Sequence, residues 1–268
     1  VRDRFGSERS GQIITYLNGI VCFIPALAPI LGAWLTVQFG WRMNFLFMAG
    51  FALIGLFITL LMYKETRPAD SIYSGHLLDL RRFIPIISTP LFLFHSLICL
   101  VTMSAILVFV TLAPGWLITE LGGSVSDFTF WFTCNAVLSI VASFIMPLYI
   151  KRQPKRALKA GLLLLVISGV LMLALNQQRT ALALMFPMFI AAFGFALTLG
   201  SSAGRALSMF SKQAGTASAL IGVMQMSGAS LLVFLTQFLN LTTPSLIGVH
   251  FLLLIPFAYL LFRYKQLS

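Results

Sequence analysis

The sequence predicts an all-α integral membrane protein, and three observations predict it. First, 59% of the 268 residues are hydrophobic and only 9% are charged, against roughly 25% charged in a soluble domain. Second, the apolar residues gather into runs long enough to cross a hydrocarbon core, which needs roughly 20 residues of helix. Third, the basic residues fall between those runs on alternate sides of the chain. Water could not be kept off so much apolar surface in any other way.

Eight runs qualify, at 12–37, 42–63, 88–113, 126–150, 157–175, 180–202, 215–238 and 245–263. Most connections are short, as in a helical bundle. The exception is KETRPADSIYSGHLLDLRRF, Lys64 to Phe83, a polar joint between the second and third runs. With the first residue on the cytoplasmic side and the loops alternating, sixteen of the eighteen Lys and Arg fall inside and only Arg42 and Arg179 outside. One missed or invented helix would invert every later loop, so this asymmetry supports eight spans. Trp41 and Trp116 fall at outer ends, where interfacial aromatics are expected.

The net charge of +11 does not indicate nucleic acid, because that requires basic residues on a folded polar face. Cys22, Cys99 and Cys134 all sit in apolar runs without CxxC or Cys/His spacing. They read as small packing residues, and neither disulfide nor metal ligation is expected. The first run is too long for a signal peptide and is followed by seven more.

The first run, GIVCFIPALAPILGAWL from Gly19 to Leu35, is unusual for a helix. Proline removes a backbone donor and clashes with the carbonyl four residues back, at roughly 3 kcal/mol in a helix interior. Yet Asn18, Cys22, Pro25, Pro29 and Gly32 are spaced four, three, four and three, and so share one face. Small residues there admit a neighbouring backbone. On physics alone this stripe reads equally well as a kinked, tightly packed span or as a functional seam.

FGSERSGQIITYLNG, Phe5 to Gly19, also echoes FSKQAGTASALIG, Phe210 to Gly222. The echo pairs the first run with the seventh. Since the third to eighth runs make a six-helix unit with the seventh as its fifth member, the first run would be the fifth helix of an earlier unit. Residues 1–63 would then close an N-terminal half, 64–86 form the inter-half loop, and 87–268 form a complete six-helix half. On that expectation four helices are missing upstream; a natural eight-helix protein is the alternative.

Several segments resemble the major facilitator drug exporters, and Bcr/CflA-type drug/proton antiporters in particular. The run from Gly19 to Leu35 resembles their antiporter motif: Gly19 matches the leading glycine, Ala28-Pro29 stands where Gly-Pro is usual, and Gly32-Ala33 where Gly-Gly is usual. VRDRFGSERSG resembles the loop after their fourth helix, KETRP the end of their sixth, and AGTASALIGVMQMSGAS, Ala214 to Ser230, their eleventh. The loop KRQPKR, Lys151 to Arg156, resembles a degenerate copy of their cytoplasmic motif, and reads equally as a topology anchor. The resemblance implies the major facilitator fold and export of small lipophilic compounds in exchange for protons. It also implies a monomer in the bacterial inner membrane, with no cofactor beyond the proton gradient and no partner beyond lipid and substrate. In that family the motif helix is thought to seal the interface between halves, which would give Gly19, Pro25, Ala28, Pro29, Gly32 and Ala33 that role.

Proton exchange needs a titrating group at depth. Asp3, Glu8, Glu65, Asp70, Asp79, Glu120 and Asp127 all fall in loops or at span ends, so no coupling residue is assigned, and the fragment is expected to be inactive alone. His76 lies in the joint, while His95 and His250 lie in spans and are expected to be hydrogen-bonded within the bundle. Arg205 is expected to snorkel to headgroups. Asn135 and Gln225 are the mid-membrane amides that could line a substrate cavity, the bland reading being that they hold neighbouring helices together. A membrane enzyme would need clustered His, Asp, Glu or Ser/His at depth, and the spans show none. A non-transporting channel or assembly subunit with eight helices is the remaining alternative.

Overall fold

The computed structural model describes residues 28, 31–63, 81, 83–210 and 213–264. The chain divides into two units, Val1–Leu77 and Leu78–Ser268. In the first unit, a helix over residues 31–39 (α1) turns into α2, Arg42–Met62. The turn is made by Gly40, whose φ of +83° is left-handed and costs a residue with a Cβ about 1–2 kcal/mol. Its N–H bonds the Thr36 carbonyl at 3.0 Å, which closes α1. No side chain of α2 is buried, and almost all of its residues are apolar. Such a helix is stable only in an apolar solvent.

The second unit begins with a short turn, α3 (Ile84–Ile87), then α4 (Pro90–Pro114). It continues through α5 (Val125–Arg152), α6 (Pro154–Leu175) and α7 (Ala181–Ser208). The last two spans are interrupted ones: α8 (Ala214–Val223) with α9 (Ala229–Gln237), and α10 (Thr243–Leu252) with α11 (Ile255–Arg263). Proline opens α4, α6, α10 and α11, where the missing N–H would have had no partner anyway. α5 opens with a capping box: Asp127 N–H donates to Ser124 Oγ at 3.1 Å, and Ser124 N–H donates to Asp127 Oδ2 at 2.9 Å. Thr180 caps α7 by accepting from Ala183 N–H at 3.2 Å.

Among the described residues seven helices are long and apolar enough to cross a membrane, and they coincide with the second to eighth expected runs. The first expected run lies largely outside the described residues. The number, length and apolar composition of the seven helices are those of a multi-pass membrane protein.

The spans are interrupted in three places. After Pro114, α4 widens into a π-helical turn, Gly115–Glu120, with Leu121 N–H bonding the Trp116 carbonyl at 3.0 Å. A second π segment, Met224–Gly228, separates α8 from α9. The eighth span breaks at Leu253–Leu254 because the ring of Pro256 excludes the carbonyl four residues earlier, and that residue is Leu252, the last of α10.

Glycine sets the spacing inside the bundle. Lipid is as apolar as leucine, so membrane helices associate by close packing. α6 sits between α7 and α10 with a glycine towards each. A Cβ on Gly161 would lie 2.8 Å from Leu197 Cβ and 2.9 Å from Thr198 N, and one on Gly169 would lie 2.7 Å from Phe251 Cβ. The partners reciprocate: a Cβ on Gly194 would meet Leu165 at 2.8 Å, and one on Gly248 would meet Leu173 at 2.9 Å. Around these contacts pack Leu158, Leu162, Leu165, Met172, Met185 and Phe251, all fully buried.

Polar groups lock the two ends. At one end, Arg205 donates to the Pro154 carbonyl at 2.6 Å, tying the end of α7 to the start of α6. Lys151, Arg152, Lys155 and Arg156 surround that junction, which is therefore the basic end. At the opposite end, Asn176 donates to Ser245 Oγ at 2.8 Å and accepts from Thr242 Oγ1 at 3.0 Å, joining α6 to α10.

Trp116 lies at the end of its span, as expected. It is only 3% exposed, covered by the Arg179 guanidinium at 5.6 Å from the ring centroid, whereas Trp41 is exposed as an interfacial tryptophan should be.

Candidate functional site: motif helix and polar faces

Of the six motif residues, Gly19, Pro25 and Pro29 lie outside the described residues. Ala28 is exposed, and Gly32 and Ala33 are half-buried. Gly32 faces the start of α2, where a Cβ would come 3.6 Å from Asn44 Oδ1, an ordinary contact. The same side carries a hydrogen-bond chain. Asn44 Nδ2 donates to Thr36 Oγ1 at 2.7 Å, and Thr36 Oγ1 donates to the Gly32 carbonyl at 2.7 Å. The small residue thus lets two helices of the first unit be stitched through polar groups rather than through bulk.

Asn135 is half-buried on α5. Its Oδ1 is shielded without a hydrogen-bond partner, an acceptor whose desolvation costs about 1–3 kcal/mol if left unmet. Its backbone carbonyl accepts Ser139 Oγ at 2.9 Å, and the Ser139 carbonyl accepts Ser143 Oγ at 2.8 Å. Asn135, Ser139 and Ser143 are four apart, so they form one polar stripe along the helix. The two serines carried the spacing that could have revealed the stripe from sequence.

Gln225 is half-buried in the π segment between α8 and α9, beside the Cys99 thiol of α4. A π turn offsets the side-chain register by about one residue, and such turns recur at functional sites. Three residues on, a Cβ on Gly228 would meet Leu100 Cδ1 at 2.6 Å, so α4 and the π segment approach closely here. The structure therefore gives Gln225 a helix-joining contact and gives Asn135 an unmet acceptor. It does not bring the two together in one described cavity.

The span histidines separate. His250 is buried, with Nδ1 2.9 Å from the Leu246 carbonyl and Nε2 3.2 Å from Thr236 Oγ1. A carbonyl only accepts, so Nδ1 carries the proton. That is the hydrogen-bonded bundle histidine expected. His95 is not: it is 1% exposed, Nδ1 has no partner, and the ring stands edge-on to Phe94 at 5.3 Å. Ser96 and Thr102 on the same helix are likewise buried with unmet hydroxyls. His76 lies outside the described residues. The acids Glu120 and Asp127 sit at the non-basic end, Glu120 4.0 Å from Arg179.

The profile of the Major Facilitator Superfamily matches residues 1–233. The chain is 30% identical over 256 residues to the multidrug resistance protein MdtL of Salmonella heidelberg (strain SL476), covering 93% of this chain and 62% of that protein. A second such protein, from Salmonella newport (strain SL254), matches at the same identity and coverage. That of Klebsiella pneumoniae (strain 342) is 28% identical over 256 residues, covering 93% and 63%. The chain thus spans slightly under two thirds of the length of these relatives.

Proposed function

Because the chain belongs to the major facilitator superfamily, we propose that it serves a secondary active transporter that exports small lipophilic drugs in exchange for protons. The observation that carries this reading is the match to proteins named for multidrug resistance along 93% of the chain. The residues are compatible with it. The spans offer few fixed polar anchors and many adaptable ones, with 11 Met and 25 Phe in the chain, which suits broad choice of apolar ligands.

Within this reading the basic end of the second unit faces the cytoplasm of a bacterial inner membrane, following the bias of Lys and Arg to the inside. Asn135 and Gln225 contribute polar contacts to the drug path, and Gly32 with Ala33 keeps the motif helix narrow. Proton entry supplies the driving force, and no other cofactor is needed.

The test is ethidium efflux from cells that lack their own exporters and express the whole gene in which this chain is encoded, residues 1–268 expressed alone being expected to give none. Uncoupler-sensitive efflux is the expected result. Efflux unaffected by an uncoupler would overturn proton exchange, and none at all would overturn drug export.

A further inference from the structure

Three helices of the second unit, α5, α6 and α7, surround an open hollow of about 410 Å³. Leu138 and Met146 of α5, Leu164 of α6, and Phe189, Ile190 and Phe193 of α7 line it. All six are apolar and half-buried. The neighbouring Val141 and Ile145 on α5 and Leu163 and Ile167 on α6 are exposed, so the hollow opens on a face that meets hydrocarbon.

Asn135 belongs to this hollow on two grounds. Leu138 is three residues beyond it and Met146 eleven, close to one and three whole turns, so all three share one face of α5. Depth agrees. Trp131 of α5 stacks on Phe189 of α7 with ring centroids 6.3 Å apart, and both helices start at the non-basic end, where Asp127 and Ala181 face common space. One turn on from that stack, α5 presents Asn135 and α7 presents Phe193, which are therefore level. The Ser139 and Ser143 hydroxyls on the same helix are committed to backbone carbonyls. Asn135 Oδ1 has no partner, and hydrocarbon has no donor to give it.

We propose that this hollow binds a neutral, lipophilic aromatic molecule bearing a single hydroxyl, taken up from the bilayer, with its rings against Phe189 and Phe193 and its hydroxyl on the Asn135 amide. Aromatic walls favour a flat aromatic ligand, and Met146 adapts to its outline. A hydroxyl supplies the hydrogen that Oδ1 lacks, and the broad terminal torsion of asparagine lets the shielded oxygen turn into the hollow. No ionisable side chain lines the space, which excludes a charged ligand. An acyl chain would fill the hollow and leave Asn135 unmet. The proposal rests on the reading of Asn135 as a contact for exported compounds, and it supplies the ligand class and a place for it on the membrane-facing side of α5, α6 and α7.

Equilibrium dialysis of 1-naphthol and 1-methylnaphthalene, a pair matched in shape, against the protein purified from the whole gene in lipid nanodiscs tests it, with uptake by empty nanodiscs subtracted. The wild type is expected to bind 1-naphthol saturably and about tenfold more tightly than the methyl compound, the worth of one good hydrogen bond. Asn135→Leu abolishes or reverses that preference with the melting temperature held. Thr59→Val, which removes an exposed hydroxyl of α2, keeps it. Leu164→Trp, which fills the hollow from α6, weakens both compounds. Equal affinity for the two in the wild type would overturn the proposal, as would an undiminished preference in Asn135→Leu. Uptake that never saturates above that of empty nanodiscs would also overturn it, in favour of simple filling by acyl chains. Binding needs no gradient, so loss of ethidium efflux with naphthol binding kept would sink the exporter and not this site.

Discussion

Replacing Gly161 by alanine tests the packing of the bundle with a single methyl group. The new Cβ would stand 2.5 Å from Thr198 Oγ1, 2.8 Å from Leu197 Cβ and 2.9 Å from Thr198 N. Two of those three atoms belong to backbone or to a Cβ, so no rotamer change relieves the overlap, and α7 must move. Overlaps this short against a Cβ and a backbone nitrogen put the cost in the upper part of the range for overpacking, about 2–3 kcal/mol. Against it stands the helix preference of alanine over glycine, about 1 kcal/mol. The net expectation is a loss of about 1–2 kcal/mol, or about 2–8 °C in melting temperature for a unit of this size. Thermal unfolding in mild detergent, followed by intrinsic tryptophan fluorescence, gives the measurement. Gly50→Ala and Gly55→Ala are the controls, since a Cβ at either meets nothing within 4 Å, and both should be neutral or slightly stabilising. If Gly161→Ala melts at or above the wild type while the controls behave as stated, the close α6–α7 approach is not what holds the unit together.

Asn176→Ala loses the bonds to Ser245 and Thr242, and at about 1 kcal/mol each it should lower the stability of the second unit by about 1–2 kcal/mol in the same assay. Ser124→Ala removes the cap of α5 and should cost about 1 kcal/mol; an unchanged melting point would show that end of α5 to be held otherwise. Pro256→Ala restores a donor and removes the clash at Leu252, so α10 and α11 should merge, read as a longer and narrower spin-label distance between positions 246 and 260. Gly32→Leu should sharply reduce ethidium efflux while membrane insertion stays intact. Gly32→Ala should be tolerated, because its Cβ would meet Asn44 only at 3.6 Å; equal efflux in the leucine variant would return this position to ordinary packing.

The spans were legible because each is a run of about 20 apolar residues that nothing but a bilayer accommodates, and Pro90, Pro154 and Pro244 mark their starts for the reason that a first-turn N–H is unpartnered anyway. The breaks were not. Pro256 was visible in the eighth run, but the sequence does not say whether a neighbouring helix absorbs the lost bond or the helix stops. The π turn at Met224–Gly228 has no proline at all; it follows from where Gly228 must meet Leu100, a fact of tertiary packing. Gly161 and Gly169 are eight apart in the sequence, yet one faces α7 and the other α10, and only the fold assigns them.

The same distinction runs through the candidate site. The family was readable because the motif residues Gly19, Pro29 and Gly32 and the segment Ala214 to Ser230 are local patterns. The place of Asn135 and Gln225 was not, because a mid-membrane amide reads alike whether it joins helices or meets a ligand. Gln225 turns out to lie beside Cys99 of α4, far away in the chain. The two histidines show the limit most clearly. Both are buried in spans, but only His250 has an upstream carbonyl and a threonine on a packed neighbour to satisfy it.

The most direct test of the account is proton movement itself. In everted vesicles from cells expressing the gene that encodes this chain, acidified inside by respiration, adding ethidium should discharge the pH gradient, seen as recovery of acridine orange fluorescence. A gradient that stays intact while ethidium is nonetheless taken up would contradict it.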